Sequence, residues 1–362
     1  MMAISAQQLG IELTVQAANA QEPAALVTDR LIIGGIDDFP ATRELAAVSE
    51  AITFENEFVN LDRLSELESE GVKFLPRLET LEILVDKYYQ RQHLKQLHIP
   101  VPNFLIVNDE QELIQAAGIL GYPSVLKVRR HGYDGKGTCV VNSEAELITA
   151  WTTMGKAPAL LEAYVNFSTE IAAIAARSES GEYAIYPVVE TQQVEQVCRR
   201  TIAPARITPE VAAKVEAIAK TIVNSLDAVG VFGIELFLAD DGEVSVNEIA
   251  PRTHNSGHYT IEACQTSQFA QLLRAVSGMP LGDTHMTCAI AIMVNLLGYE
   301  TATSDYNEKR QRIAQLPRTY THWYGKLAAK PGRKLGHVTV LADDYIQGEA
   351  IADQIEQIWY KL

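Results

Sequence analysis

Residues 246–258 read Val-Asn-Glu-Ile-Ala-Pro-Arg-Thr-His-Asn-Ser-Gly-His and bring one carboxylate, one guanidinium, two imidazoles and two amides into one short run. A segment so polar is either a solvated loop or an active site. The strands just upstream favour the second reading. Residues 231–238 and 243–249 read as strands, and Asp241-Gly242 between them suits a two-residue hairpin turn in which glycine supplies positive φ. That turn sets Glu235 opposite Glu248 on one face, with Phe237 facing Val246 and Gly233 facing Ala250. Like charges directly across a ladder are destabilising, so something cationic must compensate. Mg²⁺ takes one or two carboxylates and completes its octahedron with phosphate oxygens and water, and Mn²⁺ accepts similar oxygen ligands. The alternative is a pair neutralised by a neighbouring Arg or Lys.

A second constellation lies around residues 125–141. Val125-Leu126-Lys127-Val128-Arg129-Arg130 and Thr138-Cys139-Val140-Val141 read as strands joined by His131-Gly132-Tyr133-Asp134-Gly135-Lys136-Gly137. Backbone N–H groups of this pliable loop and Lys136 can close over a polyphosphate, while Lys127 reaches the phosphates from strand level. A strand follows the loop, so it is not a dinucleotide fingerprint, and no Lys-Ser/Thr pair opens a helix as in a Walker loop. On its own such a loop is more often a plain turn. Downstream, residues 159–165 form an apolar strand containing Glu162, and Glu170 lies in a further strand over 169–176. Backbone groups at such a strand end suit an adenine and Glu170 suits ribose hydroxyls; taken singly, both glutamates also read as surface residues.

The elements that must hold these groups follow from pattern. Residues 1–86 alternate strands (11–16, 31–33, 51–54) with helical segments, as a parallel α/β unit does. A helix over 86–97 stops before Ile99-Pro100-Val101-Pro102. Residues 87–165 make a smaller, strand-rich lid unit, 166–280 a larger sheet with the carboxylate hairpin and helices over 209–227 and 260–277, and 281–362 further strands with a closing helix over 347–361.

Taken in order, Lys127, the Gly132 to Thr138 loop, Glu162 to Val165, Glu170, Glu235 and Asn247-Glu248 resemble the ATP-grasp fold, an α/β (α+β) architecture. The string Asn-Glu-Ile-Ala-Pro-Arg-x-His-Asn-Ser-Gly-His narrows the resemblance to the 5-(carboxyamino)imidazole ribonucleotide synthase family of purine biosynthesis. Further matches are Thr53-Phe54-Glu55-Asn56-Glu57, Tyr186-Pro187, Thr266-Ser267-Gln268-Phe269 with Arg274-Ala275, Asn295-Leu296-Leu297-Gly298, and Lys326 followed by residues 331–337. The resemblance implies an ATP-dependent ligase that converts bicarbonate to carboxyphosphate and carboxylates 5-aminoimidazole ribonucleotide, releasing ADP and phosphate. Carried over residue by residue, it implies that Lys87, Lys127, Gly132, Tyr133, Asp134, Gly135, Lys136, Gly137, Thr138, Glu162, Ala163, Tyr164, Val165, Glu170, Asn247 and Glu248 bind ATP. Glu235 and Glu248 would hold the metal. Asp134 would contact the ribonucleotide, and Lys326, Arg333 and Lys334 its phosphate. Arg252 and His254 would lie near bicarbonate and the reacting amine, making these two and Lys127 the expected catalytic residues. A homodimer, and coupling to a mutase that takes the product, are further implications. Other readings are an ATP-grasp ligase with a different acceptor, or an ATP-binding protein without turnover.

The chain departs from the family at its start. Residues 1–10, Met-Met-Ala-Ile-Ser-Ala-Gln-Gln-Leu-Gly, match the interior of a helix that the family precedes with a strand and a Gly-Gly-Gly-Gln-Leu-Gly turn. The expectation is an N-terminal domain truncated at its first strand. Lys87 stands where the family often has Arg, and Gln193 where His is common; Gln193 is given no role.

Composition sets bounds. A net charge of −16 argues against nucleic acid as a partner, because a broad basic surface drives that binding. Anionic small-molecule substrates then require local positive charge. Four scattered cysteines without metal spacing suit reduced thiols in a cytoplasmic protein, with Cys139 and Cys288 in apolar runs. The longest apolar stretch, near 288–298, is interrupted by Asn295, so membrane insertion is not expected.

Overall fold

A computed structural model describes residues 1–28, 30–130, 132, 137–326 and 328–360 of the 362-residue chain. Near the N-terminus, Thr14–Ala17 and Arg30–Ile33 pair in parallel, and the expected strand at 51–54 contributes only a parallel bridge from Ile52 to Phe74. The reading of residues 1–86 as a parallel α/β unit agrees with this pairing.

A four-stranded antiparallel sheet follows, in the order Phe104–Val107, Ala159–Ala163, Ser124–Val128, Thr138–Val141. Its apolar face packs on the helices Glu110–Leu120 and Glu144–Thr153, burying Leu113, Leu126, Leu147 and Trp151. The large sheet has nine strands among the described residues. Its main path runs Val244–Ala250, Gly230–Leu238, Thr169–Arg177, Val189–Val194, Val197–Ala203, Ile290–Leu297, Lys334–Ala342, Thr319–Trp323. The helix Pro209–Ser225 covers one face, with Val215 and Ile222 in the same core cluster as Phe232 of the sheet. Met2–Leu9 and Gln268–Val276 cover the other, and Tyr345–Tyr360 packs against the far strands through Trp359 and Ile355. The helix expected over 260–277 is two helices, Thr260–Ala263 and Gln268–Val276; Ser267 caps the second by accepting from Ala270 N.

The carboxylate hairpin corrects the predicted register. Its loop is three residues long, Asp240 to Gly242, with Gly242 at φ 80°, and Ala239 N bonds to Glu243 O. Phe237 therefore faces Ser245, and Leu236 faces Val246, one step away from the expected pairing. A β-bulge between Glu235 and Leu236 then absorbs Asn247 as an extra residue and restores Glu235 opposite Glu248 and Gly233 opposite Ala250. Two one-residue departures cancel, so the central expectation survives although the turn was misread. Because of the bulge, Asn247 and Glu248 are both half-exposed, whereas Val246 and Ile249 on either side are buried.

Candidate active site

Val244–Ala250 is an edge strand, so its outer backbone groups need partners from outside the sheet. The helix Lys87–Gln96 and the segment that follows it supply them. Gln90 donates to Ile249 O at 3.1 Å and accepts from Ile249 N at 2.9 Å, Arg91 donates to Asn247 O at 2.6 Å, and Val246 N bonds to Pro100 O. Lys87 shares this helical face and donates to Glu248 Oε1 at 2.5 Å. Asp86 caps the helix at Tyr88 N and also accepts from Arg129, at 2.8 and 3.0 Å, and from Arg130 at 3.0 Å. One carboxylate thus ties the Lys87 helix to the end of the strand that leads into the glycine loop. Burial opposes its ionisation, and the two guanidiniums outweigh that and hold it below the usual range.

Lys127, on the strand facing this helix, donates to Asn247 Oδ1 at 2.9 Å and lies 2.7 Å from Glu162 Oε2. The other oxygen of Glu162 accepts from Arg91 Nε at 2.6 Å. Burial would raise the Glu162 carboxyl, but Arg91 and Lys127 hold it at about 2. Burial also pulls Lys127 downward, against the attraction of Glu162. Glu162 is therefore the anchor of two cations in the described structure; the strand ends at Ala163, short of the expected 165, and Ala163, Tyr164 and Val165 approach the surface.

Asn247 Nδ2 reaches Glu235 Oε2 at 3.4 Å, and His254 Nε2 lies 3.4 Å from Glu235 Oε1. Loss of solvent, then Glu248 and Glu170, push the Glu235 carboxyl up to about 7. Glu248, which burial alone would also raise, is instead held low by Lys87 and, more weakly, by Lys127 and Arg91. The two opposed glutamates are electrostatically unequal. Glu170, across the neighbouring strand, is raised by burial and accepts a hydrogen bond from Gln193, the position given no role from sequence.

His254 sits above Gly233, where a Cβ would come within 2.4 Å of its own Cβ. Its Nδ1 accepts from Ser256 N and lies 2.8 Å from Ser256 Oγ. The ring proton therefore belongs on Nε2, directed at Glu235. Arg252 forms a two-pronged pair with Glu57, one bond at 3.0 Å, which joins the N-terminal segment to this loop. Lys334 lies within electrostatic reach of Glu235 and His258, and Lys326 donates to Lys334 O at 2.8 Å. Arg333 is exposed and donates to Ala328 O at 2.5 Å, so its guanidinium is not brought to the cluster. Thr138 pairs with Lys127, Gly132 is half-buried, and Gly137, at φ 77°, packs on Val128. Tyr133, Asp134, Gly135 and Lys136 lie outside the described residues.

Sequence reasoning gave no role to Arg91, Asp86, Glu57 or Gln268, although Glu57 and Gln268 lie in strings that match the family. Arg91 had a legible signal, four residues beyond Lys87 on one helix. Asp86 had another, as an acidic residue at the start of a helix. Glu57 and Gln268 act through distant pairings that no local pattern announces.

Comparison with known proteins agrees with this geometry. Residues 92–269 match the family described as ATP-grasp domain, residues 1–85 the ribonucleotide synthetase preATP-grasp domain, and residues 291–351 the phosphoribosylaminoimidazole carboxylase C-terminal domain. Fold and site together define a ligase of the ATP-grasp class. The chain is 48% identical to N5-carboxyaminoimidazole ribonucleotide synthase of Synechococcus elongatus, over 99% of its own length and 92% of the relative's. It belongs to the N5-carboxyaminoimidazole ribonucleotide synthase family. A crystal structure of an N5-carboxyaminoimidazole ribonucleotide synthetase as its ADP complex superposes with a TM-score of 0.93 at 36% identity, covering 99% of this chain and 93% of that one. The Aspergillus clavatus enzyme, solved with ADP and 5-aminoimidazole ribonucleotide, gives 0.92 at 32% identity, covering 100% and 96%. The expectation of an N-terminal domain truncated at its first strand is not borne out by these matches.

Proposed function

We propose that this chain carboxylates 5-aminoimidazole ribonucleotide in purine biosynthesis. A bicarbonate oxygen attacks the γ-phosphorus of ATP, ADP leaves, and carboxyphosphate forms. The exocyclic amine of the ribonucleotide then bonds to the carboxyl carbon, loses a proton and expels phosphate. The observation that carries the reading is the position of Glu235. It contacts Asn247, which holds Lys127 on the nucleotide side, and it faces His254, which follows Arg252 on the acceptor side. Phosphoryl transfer and the capture of its short-lived product are thereby assigned to one enclosed centre, as an intermediate sensitive to water requires.

In this reading Lys87, Lys127 and the glycine loop offset phosphate charge, Glu170 meets the ribose, and the segment 163–165 at the end of its strand meets the base. Arg252 holds bicarbonate, the protonated Nε2 of His254 offers a donor to developing oxyanion charge, and Lys334 with Lys326 meets the ribonucleotide phosphate. The Glu235–Glu248 pair fits a divalent cation, since Glu235 keeps an uncompensated repulsion in the structure. No cluster of three or more potential metal ligands from His, Cys, Asp and Glu occurs among the described residues, so nucleotide oxygens would complete the shell. Bound there, Mg²⁺ or Mn²⁺ would neutralise charge on the transferring phosphoryl group. We place the enzyme in the cytoplasm, in keeping with its four free thiols, as a homodimer whose product passes to a mutase.

The test is ADP release from Mg-ATP with and without bicarbonate and 5-aminoimidazole ribonucleotide. Release that requires both is expected. Release with another amine acceptor but none with this ribonucleotide would overturn the assignment.

A further inference from the structure

Gln268 is completely buried at the start of its helix and is not among the residues assigned to substrates. Its side-chain amide nevertheless directs both of its N–H donors and its carbonyl oxygen at the catalytic loop. Oε1 accepts from His254 N at 2.9 Å, and Nε2 donates to His254 O at 2.8 Å and lies 2.8 Å from His258 Nδ1. Because a backbone N–H can only donate, the amide has one permitted orientation, with oxygen toward His254 N. Its nitrogen must then donate to His258 Nδ1, which leaves the proton of that neutral imidazole on Nε2. Loss of solvent around the half-buried His258 ring and the neighbouring His254 hold it at about 3, so it stays neutral and able to accept this bond.

The amide is itself fixed. Gln268 N bonds to Thr260 Oγ1 at 2.9 Å, and Thr260 Oγ1 donates to Gly257 O at 2.6 Å. Gly257 passes so close that a Cβ there would meet Gln268 Oε1 at 2.6 Å. On the other side of the loop, Gly233 leaves room for the His254 side chain. His254 is thus seated between a glycine floor and a glutamine that reads both of its backbone groups, and its own Nδ1 is occupied by Ser256. The remaining freedom of the ring is the direction of Nε2, which faces Glu235 at 3.4 Å.

We propose that Gln268 is a positioning residue for His254: its amide clamps the His254 backbone and thereby aims Nε2 at the reacting centre. This rests on the role given to His254 above. A misplacement of about 1 Å in a reacting group can cost on the order of 100-fold in rate. Gln268→Leu is therefore expected to lower kcat for ribonucleotide-dependent ADP release by about 100-fold, with KM for ATP unchanged. Gln268→Glu keeps an acceptor for His254 N but needs a protonated carboxyl to donate. Its activity relative to wild type should therefore climb as pH falls, a profile that a purely structural loss would not give.

The deciding measurement is a double-mutant cycle with His254→Ala. If Gln268 acts through His254, adding Gln268→Leu to His254→Ala lowers kcat no further; losses that multiply would overturn the proposal. If Gln268→Leu does not fold, as judged by circular dichroism, Gln268→Glu takes its place in the same cycle: no further loss supports the proposal, and multiplying losses overturn it. Full activity of His254→Ala would overturn the reading of His254 and this proposal with it. An inactive His254→Ala beside a fully active Gln268→Leu would overturn the proposal alone.

Discussion

Lys87 Nζ lies 2.5 Å from Glu248 Oε1, whereas Glu235, directly across the ladder from Glu248, contacts an amide and an imidazole and, among the described residues, forms no salt bridge to a lysine or arginine. The repulsion of the pair is thus concentrated on one member. Glu235→Gln should raise the thermal midpoint of the ligand-free protein at pH 8 by a few degrees. That corresponds to roughly 1–2 kcal/mol once the exposure of a third of the side chain is allowed for. The same variant should lose Mg²⁺-dependent ADP release. Differential scanning calorimetry and a coupled ADP assay test the two halves, and an unchanged or lower midpoint would contradict the first.

Glu248→Gln should behave oppositely in stability. It leaves Lys87 without its carboxylate, so a loss of about 1–2 kcal/mol is expected, modest because 41% of the Glu248 side chain is exposed. Turnover should also vanish, since one of two candidate metal ligands has gone. Retained full activity would remove Glu248 from the metal site.

The pH dependence follows from Glu235. With its folded pKa raised to about 7, the carboxyl carries a proton below that pH, and a cation must displace it. Mg²⁺ affinity in the presence of ATP should therefore weaken as pH falls from 8 to 6, and Glu235→Gln should flatten that dependence. In the ligand-free protein the sign for stability is reversed. The native state holds this proton more tightly than the unfolded chain, so its contribution makes stability fall as pH rises from about 4.5 through about 7. Titration calorimetry across this range measures the first effect and denaturation midpoints the second.

Glu162 gives the contrary acid response. Its folded carboxyl is held at about 2 by Arg91 and Lys127, so its stabilisation is complete above the unfolded value near 4.5 and is lost as pH falls toward 2. Glu162→Gln should cost roughly 3–5 kcal/mol at neutral pH, because two buried cations lose their anion. Urea denaturation at pH 7 and pH 3 should show a smaller difference from wild type at the lower pH.

Lys334 and Arg333 are adjacent in sequence but unequal in place. Lys334→Ala should raise KM for the ribonucleotide about tenfold or more, whereas Arg333→Ala, whose guanidinium is exposed and bonded to Ala328 O, should change it much less. Equal effects would show that Arg333 turns inward when substrate binds.

The elements carrying chemistry were largely legible because chemistry and local pattern coincide there. The Asp241-Gly242 turn signal, the alternation of both hairpin strands and the glycine-rich connection after Lys127 all arise within a dozen residues. Lys87 came only through family likeness, since a lysine in a helix has no distinguishing pattern. What escaped has two physical causes. The three-residue loop and the bulge are choices of ladder geometry that side-chain alternation does not encode. The pairings of Glu57 with Arg252, across 195 positions of chain, and of Gln268, at the start of a helix, with the His254 loop exist only after tertiary packing. The break between Thr260–Ala263 and Gln268–Val276 was marked by Ser267, a cap signal inside the polar run Gln265 to Gln268.

The bulge at Asn247 also alters the spatial resolution at which a sheet can present side chains. A regular strand delivers one side chain to a given face every second residue, about 7 Å apart, which is coarse beside the dimensions of a phosphoryl group. The additional residue lets a single strand set an amide and a carboxylate side by side, Asn247 toward Lys127 and Glu248 toward Lys87, without borrowing a loop to do so. The centre is consequently finer-grained than the lattice it is built on, while retaining the stiffness of that lattice.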